Sequence, residues 1–281
     1  MYKKMMHRFS NILSGIGFYV PVTFIALLIL IPFFWMITTS LKTQSAIYTF
    51  PVEWIPSELT LENYVTLFTR FPFGRVILNS AIVSISYTMI SLILSCMAAF
   101  AFAKLKFKGS EVIFKIFLAT LMIPFHTILI PLFIIMSGMG LNNTYISVII
   151  PSIFKVFAIF MLVQNMKTIP NDYIDAARMD GASNFTVLWK IIVPFCGPTI
   201  ATLAIIMFVE SMNDFLWPLV MLTKTKMMTM PVALSILYGQ FNRNIGVSMA
   251  GSLISIIPII IVYLIAQRKF KSGLSLGGIK G

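Results

Sequence analysis

Six stretches of about twenty mostly apolar residues, at 17–37, 79–103, 116–136, 145–163, 191–211 and 247–266, constrain this chain more than any other feature. A bilayer core is about 30 Å thick and takes about 20 helical residues to cross. In hydrocarbon no water satisfies backbone N–H and C=O groups, so each run must close its own helical hydrogen bonds. The expectation is an all-α integral membrane protein with six transmembrane helices and both termini on one side. Composition agrees: 58% of residues are hydrophobic and 11% charged, against about 25% charged in soluble domains.

The net charge is +12. In a soluble protein that would suggest a nucleic-acid partner; here it reads as the lysine and arginine bias that orients spans, with the lipid bilayer as surroundings and no nucleic acid. Counted over six spans, the compartment of the termini holds fourteen Lys and Arg and the other side six, with Lys155 inside a span. The bias places both termini and the 173–194 stretch in the cytoplasm. The basic and then apolar start resembles a signal peptide, but its apolar run is too long and no small-residue cleavage site follows. The chain therefore divides into a cytoplasmic N-terminus (1–16), a first span with a long external loop (17–75), a core of five spans (76–267) and a cytoplasmic tail (268–281). Cys96 and Cys196 fall inside apolar runs, and the only histidines are His7 and His126. No metal-ligand spacing is visible, so no metal site is expected.

The external loops differ in character. Residues 41–75 carry prolines and aromatics suited to an interface, and 137–144 (SGMGLNNT) is a tight turn. Within 216–246, TMPVALSILYGQF is too short to span and too apolar for plain solvent. It reads as an interfacial or re-entrant segment, or as a loop that contacts a partner.

One cytoplasmic stretch stands out: YIDAARMDGASNFTVLWKIIVP, residues 173–194. Pro170 discourages the fourth span from continuing, since it lacks the N–H that helix bonding needs. Asn171 or Asp172 can cap a short helix with Ile174, Ala177 and Arg178 on one side. Gly181 follows where a helix ends in the left-handed conformation, and Ser183 can cap a second helix leading to the fifth span through Pro194. Two readings of this helix–Gly–helix unit stand: an amphipathic segment on the headgroups, or a docking surface for another protein. Its acidic, alanine-rich first helix suits anionic lipid poorly.

The unit resembles the cytoplasmic "EAA" motif of ABC importer permeases: Glu-Ala-Ala, three residues, Gly, nine residues, Ile-x-Leu-Pro. Here Asp175, Ala176 and Ala177 precede Gly181 at that spacing, and Ile191, Ile192, Val193 and Pro194 complete it, with Asp175 in place of Glu and Val193 in place of Leu. IPFFWMITTSLKT, VEWIPSELTLENYVTLF, ILNSAIVS, AFAFAKLKFKG, MNDFLWPLVML and the ending QRKFKSGLSLGGIKG are similar to maltose-type sugar permeases of the MalG-like kind. The resemblance implies a MetI-like ABC importer permease fold with a cytoplasmic coupling helix. It further implies a heterodimer with a MalF-like permease, two ATP-binding subunits and an extracytoplasmic sugar-binding protein. The chain itself would carry no cofactor and no catalytic residue, with ATP and Mg on the ATPases. Asp175, Ala176, Ala177, Asp180, Gly181 and Ala182 would then touch the ATPase, and Gly277, Gly278, Lys280 and Gly281 of the tail would lie against the ATPase pair.

The ending GLSLGGIKG is not a phosphate loop, because Ile279 stands where the pattern needs lysine. Lys155 lies within the fourth span, where a lysine costs about 2.5–3.5 kcal/mol on insertion scales and so faces the bundle or water. Glu210 is a candidate partner. Either the two line the translocation path, or they form a structural ion pair or a snorkelling lysine. His126, between Pro124 and Pro131, is read as satisfying backbone freed by proline in preference to contacting substrate. Asn213 and Asp214, beside Phe215 and Trp217, combine hydrogen-bonding groups with aromatic faces that suit sugars, although an interfacial aromatic belt explains Trp217 equally. The expected function is half of a carbohydrate path in an ATP-driven importer. The alternatives are a same-fold permease for another small solute, or an intramembrane enzyme using Lys155, Glu210 and His126.

Overall fold

The computed structural model describes residues 2–240 and 244–277, with side chains described over 18–239 and 244–265. All its regular structure is helical, and the chain forms two compact units: residues 1–71 with 237–253, and residues 72–236 with 254–281.

The first unit begins with the helix Tyr2–Ser40, whose apolar side chains from Phe18 onward lie bare along most of its length, as a lipid-facing helix requires. Its end is tightly built. Lys42 is buried, donates from Nζ to the Glu53 carbonyl and lies 4.4 Å from the centroid of the Trp35 ring, so its charge meets a carbonyl dipole and a π face. Trp54 packs edge-on against Trp35. Asn63, in the helix Glu62–Arg70, donates from Nδ2 to the carbonyls of Ser40 (2.9 Å) and Lys42 (2.8 Å). It thereby satisfies the carbonyls left over where the first span stops. Gly246, in the first turn of the helix Ile245–Gly277, lies so close that a Cβ there would sit 2.6 Å from the Asn63 side chain. Glycine is what lets that helix approach the cap.

In the second unit the helix Phe73–Lys104 is central and packs against Val156–Lys167 and Gly197–Asn213. Ala99, Ala158, Leu162, Val163, Ile192 and Leu203 form its core, and Cys96 and Cys196 are buried there as free thiols. Buried Ser84, Thr88, Ser91 and Ser95 recur along one stripe of the central helix, small enough for neighbouring backbones to approach.

Three of the expected spans are not continuous helices. The third is Ser110–Thr120 followed by Phe125–Gly138, bent by 98°; the fourth is Tyr145–Ser152 and Val156–Lys167, bent by 44°. The fifth is Asn184–Phe195 and Gly197–Asn213, bent by 83°. Proline marks each break. Pro124 stands in extended conformation before the second half of the third span, and Pro151 lies in the short 3₁₀ turn Ile150–Ser152. Pro198 opens Gly197–Asn213. Upstream of that break the turn Leu188–Ile192 is π-helical, since Pro194 has no N–H to offer the Lys190 carbonyl at the α spacing.

The stretch 216–240 is packed helix rather than plain loop. It contains Leu216–Met221 and Met230–Gln240, with Met230, Val232, Ala233 and Leu237 fully buried. Side chains of the core pin its middle. Asn79 donates to the carbonyls of Lys226 and Met228, Ser80 accepts from the Met230 N–H, and Asn143 accepts from the Lys224 N–H.

Asn63→Leu is expected to destabilise the protein by about 2 kcal/mol or more, because two buried carbonyls lose their donor. A thermal midpoint lowered by several degrees, followed by the fluorescence of Trp35 and Trp54, would show it; an unchanged midpoint would mean the cap carries no weight.

Candidate functional site

Two places gather the polar residues singled out in the sequence, and both lie within the second unit. The first is a cavity of about 510 Å³ lined by Tyr87, Phe125, His126, Ser152, Lys155, Glu210, Asn213, Asp214 and Phe215, with Val83, Val148, Ser211 and Leu216 completing the wall. All four residues expected along a path, Lys155, Glu210, Asn213 and Asp214, are on its surface, and so is His126.

The broken spans build this cavity. Lys155 is not inside a helix, as a continuous fourth span would have it; it is the extended residue at the break before Val156–Lys167. Its carbonyl accepts from the Ile159 N–H and so starts that half-helix. The side chain points to the fifth span, where Nζ forms an ion pair with Glu210 Oε1. Both members stay partly exposed, at 29% and 49%, so water screens the pair and its contribution to stability is small.

Asp214 follows the last residue of Gly197–Asn213, and its carboxylate accepts the Trp217 backbone N–H. Burial pushes this carboxyl up to about 6, with that N–H pulling the other way. Asn213 donates to the Val209 carbonyl. Trp217 is fully buried and donates from Nε1 to the Ser147 carbonyl, which makes it a core residue rather than part of an interfacial belt. Phe125 packs edge-on against Trp217 with centroids 6.0 Å apart. His126 sits in the first turn after the third-span break rather than mid-helix. At this break the Pro124 carbonyl accepts from the N–H and Oγ1 of Thr127.

The second place is the helix–Gly–helix unit. The helix Asp172–Met179 carries Asp172 and Asp175 in its first turn and Arg178 in its last, the order that complements a helix dipole. Gly181 has φ of +79°, and the Ala182 N–H bonds the Ala177 carbonyl (2.9 Å) while the Gly181 N–H bonds that of Arg178 (3.0 Å). This is a Schellman closure, which needs the left-handed residue that glycine supplies. Ser183 caps the next helix by accepting from the Thr186 N–H. Asn171 does not cap: its side chain accepts from Lys104 Nζ, which also reaches the Ile169 carbonyl. The start of the unit is thereby tied to the end of the central helix.

Ile174 is buried among the core and Ala177 is half-buried, while Asp175, Ala176, Arg178, Asp180 and Gly181 face outward. Arg178 reaches Asn184 across the turn (3.2 Å). The unit is thus closed by its own backbone bonds and held to the core through Ile174, with charged, small and apolar side chains together on its exposed face. Of the tail residues expected to touch partners, Gly277 ends the last helix, while Gly278, Lys280 and Gly281 lie outside the described residues.

The family described as "Binding-protein-dependent transport system inner membrane component" matches residues 91–275. The chain belongs to this family. It is a permease subunit of a binding-protein-dependent ABC importer, a multi-pass protein of the inner membrane and a transporter component rather than an enzyme. The permease is 37% identical to the arabinooligosaccharides transport system permease protein AraQ of Halalkalibacterium halodurans, over 99% of this chain and 100% of that one. It is 35% identical to the trehalose transport system permease protein SugB of Mycobacterium tuberculosis, over 90% of this chain and 93% of that one. Its fold superposes on a chain of a bacterial ABC transporter involved in the import of the acidic polysaccharide alginate, with a TM-score of 0.81 and 25% identity, over 93% and 98% of the two chains.

Several residues that build the permease's cavity gave no signal strong enough to pick them out of the sequence. Phe125 and Ser152 look like ordinary span residues until the breaks turn them inward, and Tyr87 looks like one until its unbroken helix is packed. Asn79, an amide in an apolar run, was the one legible clue to the pinned outer segment, since a buried amide needs partners.

If the cavity is wet, Lys155→Cys and Glu210→Cys should both react with an aqueous thiol reagent in membranes. Reaction at neither position would remove these residues from any path.

Proposed function

We propose that the permease forms one half of the path by which an ATP-driven importer moves a carbohydrate inward. The single observation that carries this is the pairing of a cavity that holds an ion pair, at the breaks of the third and fourth spans, with an outward-facing helix–Gly–helix unit on the same core. Curated relatives covering nearly the whole chain are arabinooligosaccharide and trehalose permeases, which supports a saccharide cargo. The partner is a MalF-like permease, two ATPase subunits bind ATP and Mg, and an extracytoplasmic binding protein delivers the sugar. Both termini, 1–16 and 268–281, are cytoplasmic, in keeping with the lysine and arginine bias.

In this reading the exposed face of Asp172–Met179, with Asp175, Ala176 and Asp180 outermost and Ala177 and Ala182 flanking the Gly181 turn, sits against the ATPase. Its buried side, through Ile174 and the Lys104–Asn171 contact, passes the push to the central helix. The half-helices around Lys155 and Glu210 then shift between two packings, since packed interfaces switch between discrete arrangements rather than deform smoothly. Gly277, Gly278, Lys280 and Gly281 extend the ATPase contact, and Lys155, Glu210, Asn213 and Asp214 face the sugar.

Reconstituted complexes test this. Gly181→Pro cannot adopt φ of +79° and should abolish ATP-driven uptake. Ala176→Trp, on the exposed face where it disturbs no packing, should cut uptake at least about tenfold while the permease still folds. Full uptake by both variants, with the ATPases bound, would remove this unit as the lever.

A further inference from the structure

The cavity wall carries an unequal set of charges. Lys155 is its cation, while Glu210 and Asp214 are its anions, so with histidine counted as neutral the lining is one charge negative. The cation is committed: Lys155 is ion-paired with Glu210 across the gap between the fourth and fifth spans. Asp214 lies near both members of that pair, and its carboxylate accepts the neutral backbone N–H of Trp217. No second cation lines the cavity among the described residues.

The rest of the wall is suited to an uncharged, hydroxyl-rich molecule. Tyr87, Phe125 and Phe215 supply rings whose negative faces accept the C–H face of a pyranose or furanose. Ser152, Asn213 and Asp214 supply hydrogen-bonding groups for hydroxyls. The volume, about 510 Å³, falls within the size range of small-molecule sites.

We propose that this cavity receives a neutral glycosyl unit and turns away anionic ones such as uronates, with Asp214 setting the discrimination. The inference rests on the saccharide-path reading above and adds the charge class of the sugar. A uronate would bring a carboxylate beside Asp214 and Glu210, with Lys155 the one cation lining the cavity among the described residues and already shared with Glu210. An anionic sugar therefore meets a wall whose net charge is of its own sign. A neutral sugar leaves the pair intact and offers its hydroxyl protons to the Asp214 carboxylate, a charge-assisted hydrogen bond. Like charges facing each other across a binding surface are a means of rejecting wrong partners.

The experiment is equilibrium dialysis of the complete importer in lipid nanodiscs, without its binding protein, against radiolabelled arabinotriose, maltotriose and trigalacturonate. At least one neutral trisaccharide is expected to bind, and trigalacturonate to bind at least about tenfold more weakly. Phe215→Ala should weaken the neutral sugar. Asp214→Asn keeps an oxygen for the Trp217 N–H and removes the charge, so it should narrow the gap between neutral and anionic sugars at least about threefold. Trigalacturonate binding as well as the neutral sugars, or a gap unchanged in Asp214→Asn, overturns the charge selection. No binding of any trisaccharide by an importer that still transports a neutral one in vesicles means the cavity is not a sugar site, which also overturns it. An importer that transports no carbohydrate at all, neutral or anionic, strikes the reading under Proposed function instead.

Discussion

Backbone polar groups in hydrocarbon must be satisfied from within the protein, and the architecture of this permease follows from how it meets that demand where helices stop. An unbroken span solves the problem by itself. A span interrupted by proline does not, and the freed N–H and C=O groups are tolerated only where side chains or a water-filled cavity receive them. Three spans are interrupted here. Thr127 takes up the Pro124 carbonyl, the half-helix after Lys155 draws on that residue's own carbonyl, and the turn before Pro194 relaxes to π spacing. The breaks of the third and fourth spans border one cavity, and the far end of the fifth span closes it. Irregular backbone in a membrane and a polar chamber are two sides of one requirement.

The same requirement explains why so many structurally decisive side chains are amides. Asn63 receives the end of the first span, Asn79 donates to two carbonyls of the outer segment, and Asn143 supports that segment through Lys224. An amide carries both donors and an acceptor without charge, so it can close irregular backbone in a low-dielectric setting without an ion's desolvation cost. Charged residues are used sparingly. Lys42 is buried against a carbonyl and a Trp face, and Lys155 is buried in part and paired with Glu210. The bare apolar flank of the first span, facing lipid, and the packed core of the second unit, closed on itself, are then the remainder.

The helix–Gly–helix unit shows how much of a candidate site can be read one residue at a time. Gly181 in the left-handed conformation and Ser183 as a cap were each expected from local chemistry, and each is a property of a few consecutive residues; of the three residues placed on one side, Ile174 and Ala177 turn inward while Arg178 is exposed. The expectation failed at Asn171, where the side chain that could have capped the helix is taken by Lys104, distant in sequence. A local rule has no means of registering a competitor 67 residues away.

The sequence by itself determined that this chain is helical and membrane-embedded, that six apolar runs cross or enter the bilayer, and that a polar elbow follows the fourth. Each of these is written in hydrophobicity, charge bias and turn chemistry, which are additive along the chain. Only the tertiary structure decided that three runs are broken and which faces the breaks turn inward. A proline in an apolar run is compatible with a kink, a short 3₁₀ turn or a full 98° bend, and packing partners choose among them. That choice brought Lys155 and Glu210 into contact and added Tyr87, Phe125 and Ser152 to their wall. It also set Gly246 against Asn63, a contact that depends on two distant helices approaching within a side chain's width and that no local pattern encodes.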